Sequence, residues 1–270
     1  MRLRRTIPML LLLAGCATGT GATKPEMVRV RLGLAQQLVD RGEWAGALDA
    51  IEGARQSAPA DPDVLTLRAV ILREQGLLDE SEGDLREALR VAPGSAHAHS
   101  ALAVLYERQH KPQDAEGEHR RALELAPGNA RYLNNLGYAL LVHGKHREAM
   151  GVLLQAVRAS PMSPRARNNL GFAYAATGDF ARAGQQFAFA GSPSEAKFNL
   201  AVAYERTGNL AQAEDHYRAA LRLDPGMRRA QEGLDRLAAR RAPVAPIAAA
   251  PALSDLAKRH NPAPTVGGSP

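Results

Sequence analysis

An all-α solenoid of stacked helix pairs is predicted by three features of the sequence. Prolines stand at 59, 93, 127 and 161, each 34 residues after the last, and another follows at 225. Small side chains recur in the same register. Only 4% of residues are aromatic against 45% hydrophobic, with alanine prominent, a composition that suits closely packed helices better than sheets.

Setting each proline at position 32 divides the chain into 28–61, 62–95, 96–129, 130–163, a shortened 164–193, and 194–227. Position 8 is then Ala35, Ala69, Ala103, Gly137, Gly171 and Ala201, and position 20 is Ala47, Ser81, Ala115, Ala149, Ala183 and Ala213. Position 27 is Ala54, Ala88, Ala122, Ala156, Ala190 and Ala220. Two helices that cross closely need such residues where their backbones approach. Larger residues are expected to fill the remaining space. These are Leu34, Leu102, Leu136, Leu170 and Leu200 at position 7, and Leu38, Leu72, Tyr106, Leu140, Tyr174 and Tyr204 at position 11. Glycine at position 15 (42, 76, 144, 178 and 208) lets the chain leave the first helix through a left-handed turn. The third unit has His110-Lys111-Pro112 there, which predicts a different turn.

A helix–turn–helix period of 34 is that of the tetratricopeptide unit. The expected fold is therefore a right-handed superhelical tetratricopeptide-repeat solenoid of six repeats. The stretch 228–241 (RRAQEGLDRLAARR) serves as a capping helix burying Leu234, Leu237 and Ala238. From 242 to 270 six of the residues are proline, predicting a disordered Pro/Ala-rich tail.

The beginning of the chain reads differently. Arg2, Arg4 and Arg5 precede an apolar run from Ile7 to Ala14 broken only by Pro8, which is the layout of an export signal, too short for a membrane span. Leu13-Ala14-Gly15-Cys16 resembles a bacterial lipobox. That resemblance implies a signal peptide over 1–15, cleavage before Cys16, and acylation of Cys16. Residues 16–27 are then the lipidated cysteine and a small, polar tether. Cys16 is the one cysteine of the chain, so the domain must be held by packing rather than disulfides. Ala17 is not the aspartate that retains many lipoproteins in the inner membrane, which implies the periplasmic face of an outer membrane.

The net charge of +6 includes the three arginines of residues 1–15, leaving +3 without them, too little to argue for nucleic acid. No catalytic motif is present. Gly144-Lys145 lacks the Ser/Thr of a phosphate-binding loop. His97 and His99, two apart on a helix, point to different faces, and His143 with His146 make a poor metal site. No enzyme activity, metal or cofactor is expected.

Recognition is expected on the first helix of each repeat, at positions 2, 5, 6, 9 and 13. Repeat 4 presents Arg131, Asn134, Asn135, Tyr138 and Val142; repeat 5 presents Arg165, Asn168, Asn169 and Phe172; repeat 6 presents Phe198, Asn199 and Val202. The earlier repeats add Asp63, Arg73, Glu74, His97 and Arg108. LNNLG, RNNLG and FNLA form a ladder of amides, and an amide can donate and accept at once along an extended peptide backbone. Tyr138, Phe172 and Phe198 would add apolar anchors. The alternative is that the asparagines tie neighbouring helices together. Losing Asn135 and Asn169 is expected to weaken binding and leave melting nearly unchanged.

A lipobox followed by six such repeats resembles the outer-membrane lipoproteins of pilus assembly. The stretch 96–141 is similar to the third and fourth repeats of the type IV pilus pilotins, and RARNNLGFAYAATGDF with AKFNLAVAYERTGNL resembles the Tad-pilus lipoproteins. The resemblance implies a scaffold that binds a secretin or another pilus component and helps it reach the outer membrane. A lipoprotein adaptor recruiting peptidoglycan enzymes is the alternative.

Overall fold

The structure is a computed structural model that describes residues 23–241. The expected signal peptide, Cys16 and the tail lie outside the described residues. Those residues form thirteen α-helices and no strand. The chain divides into two compact units, one ending at Thr177 and the other beginning at Gly178. The first holds α1 (Lys24–Asp40), α2 (Trp44–Ser57), α3 (Pro62–Glu74), α4 (Leu78–Val91), α5 (Ala96–Arg108), α6 (Pro112–Leu125), α7 (Ala130–Val142), α8 (His146–Ala159) and α9 (Pro164–Ala176). The second holds α10 (Phe180–Ala190), α11 (Pro193–Arg206), α12 (Leu210–Leu223) and α13 (Arg228–Arg241).

Each first helix starts where a side chain caps it. Asp61, Ser95, Asn129 and Ser163, two residues after the periodic prolines, accept hydrogen bonds from the free N–H groups of α3, α5, α7 and α9. Such a cap contributes about 1 kcal/mol. At α1 the Glu26 carboxylate accepts from the Thr23 N–H (2.7 Å) and hydroxyl (3.1 Å). The helix therefore begins at Lys24, and the tether expected over 16–27 is helical in its last four residues.

The turns between the paired helices of repeats 1 to 4 and 6 share one hydrogen-bond pattern. In repeat 4 Gly144 takes φ 78°, and the Lys145 N–H reaches back to the Leu140 carbonyl at 2.9 Å. Repeat 3 was expected to differ and does not. His110 adopts φ 58°, and Lys111 N–H bonds the Tyr106 carbonyl at the same 2.9 Å. The helix-ending hydrogen bond outweighs the steric cost of a left-handed side chain.

The small residues at positions 8, 20 and 27 are buried in every repeat except at Ala190, which is half-buried at the end of the shortened α10. Gly137 shows the tolerance: a Cβ there would stand 2.5 Å from Leu153 Cγ. Leu153 stands at position 24, which holds a deeply buried residue in each repeat. Ile51, Leu85, Leu153, Phe187 and Tyr217 are all at most 1% exposed. Repeat 3 places His119 there, equally sequestered at 2%.

Two expectations fail at the ends. Leu34 is half exposed, because positions 3 and 7 pack against the preceding repeat and the described residues before α1 provide none. On α13 Ala238 is exposed. Leu237 is buried and Leu234 half-buried as expected, and Ala230 and Gly233 complete that face, with Gly233 admitting the Tyr217 ring against its backbone. Burial, and then the hydrogen bond that the Tyr217 hydroxyl donates to Glu205 at 2.6 Å, push the phenol far up.

Candidate partner-binding groove

In the first unit α5, α7 and α9, with His119 of α6, line an open cavity of about 570 Å³. Its walls include Val104, Glu107, Arg108, Asn135, Tyr138, Val142, Arg165 and Asn169. A second cavity, about 250 Å³, is lined by residues of α1, α3, α5 and α7, among them Arg73, His97 and Arg131. Val104 and Asn135 belong to both. The two cavities thus form one track across the first helices of successive repeats.

The predicted residues divide by what already holds them. Tyr138 and Val142 are about half exposed (53% and 52%), so two large apolar surfaces face the track. Arg131 and Arg165 are exposed, and among the described residues no carboxylate pairs with either. The Arg131 guanidinium instead lies 5.3 Å from the Tyr132 ring centre. Asn135 is half-buried without a hydrogen-bond partner among the described residues. These groups are available to a ligand.

Asn134 is not. It is 6% exposed, and its Oδ1 accepts from Asn169 Nδ2 at 2.9 Å. The position expected to grip a peptide joins repeat 4 to repeat 5, because position 5 turns toward the following helix. Asn169 lines the cavity but has one donor committed to this tie. Asn168 and Phe172 are half-buried on α9. In the second unit Phe198 and Val202 pack against the cluster around Tyr217, and the Arg229 guanidinium covers the Phe198 ring at 4.4 Å. Phe198 is therefore a core-flanking residue rather than an open anchor. Asn199 is half-buried beside it.

Charge along the first unit is partly neutralised. Glu74 accepts from Arg73 at 2.9 Å and from Arg108 at 3.0 Å, leaving Arg131 and Arg165 as the uncompensated cations among these predicted groove residues. Burial, and then the charge of Arg131, hold the His97 imidazole below its usual range. His99 turns away to Glu118, and His143 turns to Glu107 at 3.4 Å. Among the described residues no three potential ligands converge on a metal position, and no helix is long and apolar enough to cross a membrane.

Two polar residues of the first cavity, Glu107 and His119, were not legible as such in the sequence. Glu107 has a buried Oε1 without a partner, and burial raises its carboxyl against the pull of His143. His119 also reaches the cavity, with an unpartnered Nδ1, and burial pushes its imidazole down to about 4. What the sequence does show for His119 is that position 24 is apolar or aromatic in the other five repeats.

Comparison with known proteins agrees with this geometry. Tetratricopeptide-repeat family models match residues 32–96, 66–130, 100–164, 134–190 and 194–227. None of the curated proteins compared is similar in sequence. Among solved structures, PilF of Pseudomonas aeruginosa is 17% identical over 79% of this chain and 99% of its own, with a TM-score of 0.62. PilW, described as a widely conserved type IV pilus biogenesis factor, is 20% identical over 77% and 99%, at 0.65. YrrB, described as having an unusual peptide-binding site, is 21% identical over 70% and 99%, at 0.53. At such identities the likeness establishes the fold.

Proposed function

The chain belongs to the tetratricopeptide-repeat proteins, and on that footing we propose that it is a lipid-anchored scaffold that binds an extended segment of a partner protein. The partner is a secretin or another pilus component, which the scaffold helps to assemble at or reach the outer membrane. The observation that carries the binding role is the continuous track of the first unit. Its free Asn135 amide, unpaired Arg131 and Arg165, and exposed Tyr138 and Val142 offer hydrogen bonds, charge and apolar contact along one line. The lipobox-like Leu13–Cys16 supports the anchor, and the likeness to PilF and PilW supports the pilus context. No catalytic step is assigned.

The test is affinity capture from detergent-solubilised membranes with the wild-type chain and with Asn135→Ala/Tyr138→Ala, both groups standing clear of the core. A secretin or pilus component captured by the wild type and lost with the variant is the expected result. Peptidoglycan hydrolases in its place would transfer the role to the cell wall. Capture that the variant does not alter would remove recognition from this track.

A further inference from the structure

The outer face of α1 is built for contact. Met27, Val30 and Leu34 lie at i, i+3 and i+7 on one stripe and are 43%, 69% and 49% exposed. The opposite face is occupied in the ordinary way, with Val28 and Ala35 buried against Ile51, Val64 and Ile71. In the internal repeats the residues equivalent to Val30 (Val64, Ala98, Tyr132 and Ala166) are all at most 5% exposed beneath a neighbouring repeat. Thus α1 carries the apolar chemistry of a covered helix on an uncovered side. The terminal helix of the second unit does not: α13 shows Gln231, Glu232, Asp235 and Arg236 to solvent, the polar finish that solubility requires of a terminal repeat.

We infer that the Met27–Val30–Leu34 face of α1 lies against the surface of an anionic phospholipid membrane. The inference rests on the reading of Cys16 as the lipid anchor and goes beyond it, by giving the domain a fixed side toward the bilayer. Cys16 precedes Lys24 by eight residues, so α1 begins within about 28 Å of the anchor even with the chain extended at ~3.5 Å per residue. Lys24 and Arg41 stand at the two ends of the stripe, and neither has an ion-pair partner among the described residues. Two free cations flanking an apolar stripe match lipid phosphates flanking acyl chains, the arrangement by which amphipathic helices lie in an interface. Of the acids near the stripe, Glu26 has its carboxylate drawn into the Thr23 cap, and Asp40 accepts from Gln36 and faces the groove.

The experiment uses the acylated full chain with Val30→Cys, an exposed site, labelled with an environment-sensitive fluorophore. The protein is reconstituted in vesicles of phosphatidylethanolamine and phosphatidylglycerol, with Glu232→Cys as the control position. Acyl-brominated lipids should quench the label at 30 severalfold more than the label at 232, and aqueous iodide should do the reverse. A label at 30 quenched by iodide as strongly as the control overturns the inference. So does a label shielded from both quenchers, which would place a second copy of the chain on this face. Mass spectrometry of the N-terminal peptide separates the premise: without a diacylglyceryl group on Cys16, anchor and inference fall together, whereas an acylated chain with an aqueous label removes the inference alone.

Discussion

His119 ties the stability of the first unit to pH in a way that can be calculated. Its imidazole fills the core position held by Ile51, Leu85 and Leu153 in neighbouring repeats, and burial pushes it down to about 4. A base held down in the folded state takes up protons less readily than in the unfolded chain, where it titrates near ~6.5. The unfolded state therefore binds more protons between those values, and stability is lost as pH falls through that window. Between about pH 7 and about pH 5 the loss from this group is about 2 kcal/mol. His119→Leu abolishes it. The same substitution removes a buried Nδ1 without a partner, so at neutral pH the variant should be more stable by about 1–3 kcal/mol. Urea unfolding followed by circular dichroism at both pH values gives the four free energies required. An equal pH dependence in wild type and variant would refute the linkage, and a less stable variant at neutral pH would refute the argument from the orphaned nitrogen.

Two further outcomes follow from single residues. His110→Gly relieves a left-handed side chain in a turn whose hydrogen bonds stay intact, so thermal unfolding should shift upward by the equivalent of about 1 kcal/mol; no shift would mean that the imidazole makes a compensating contact. Asn135→Ala and Asn169→Ala should separate: the first leaves stability within about 0.5 kcal/mol and weakens partner capture, while the second strands the buried Asn134 amide and costs about 1–3 kcal/mol. Equal melting of the two variants would show that the Asn134–Asn169 tie carries no weight.

That pair marks the limit of the sequence reading. The period of 34 made the helix pairs legible because a close helix crossing allows only Ala, Gly or Ser, and that demand is local and repeats at fixed spacing. Position 15 was legible for the same reason, since glycine reports a backbone torsion. His110 was misread because a hydrogen-bonded turn can hold a non-glycine residue in the same torsion, and the bonds involved are not visible in residue type. At positions 5 and 6 residue type is equally silent. Asn134 and Asn135 are neighbours of the same chemistry, yet one is buried and bonded to Asn169 in the next repeat while the other stays open to the groove. By itself, then, the sequence determined the helices, their pairing and the small-residue seams. Which amides and guanidiniums remain free, that Glu107 and His119 reach the cavity, and that the stripe on α1 goes uncovered were decided by tertiary structure. Those outcomes depend on how each repeat is rotated against its neighbour, and that rotation brings together side chains about 35 residues apart, beyond the reach of local pattern.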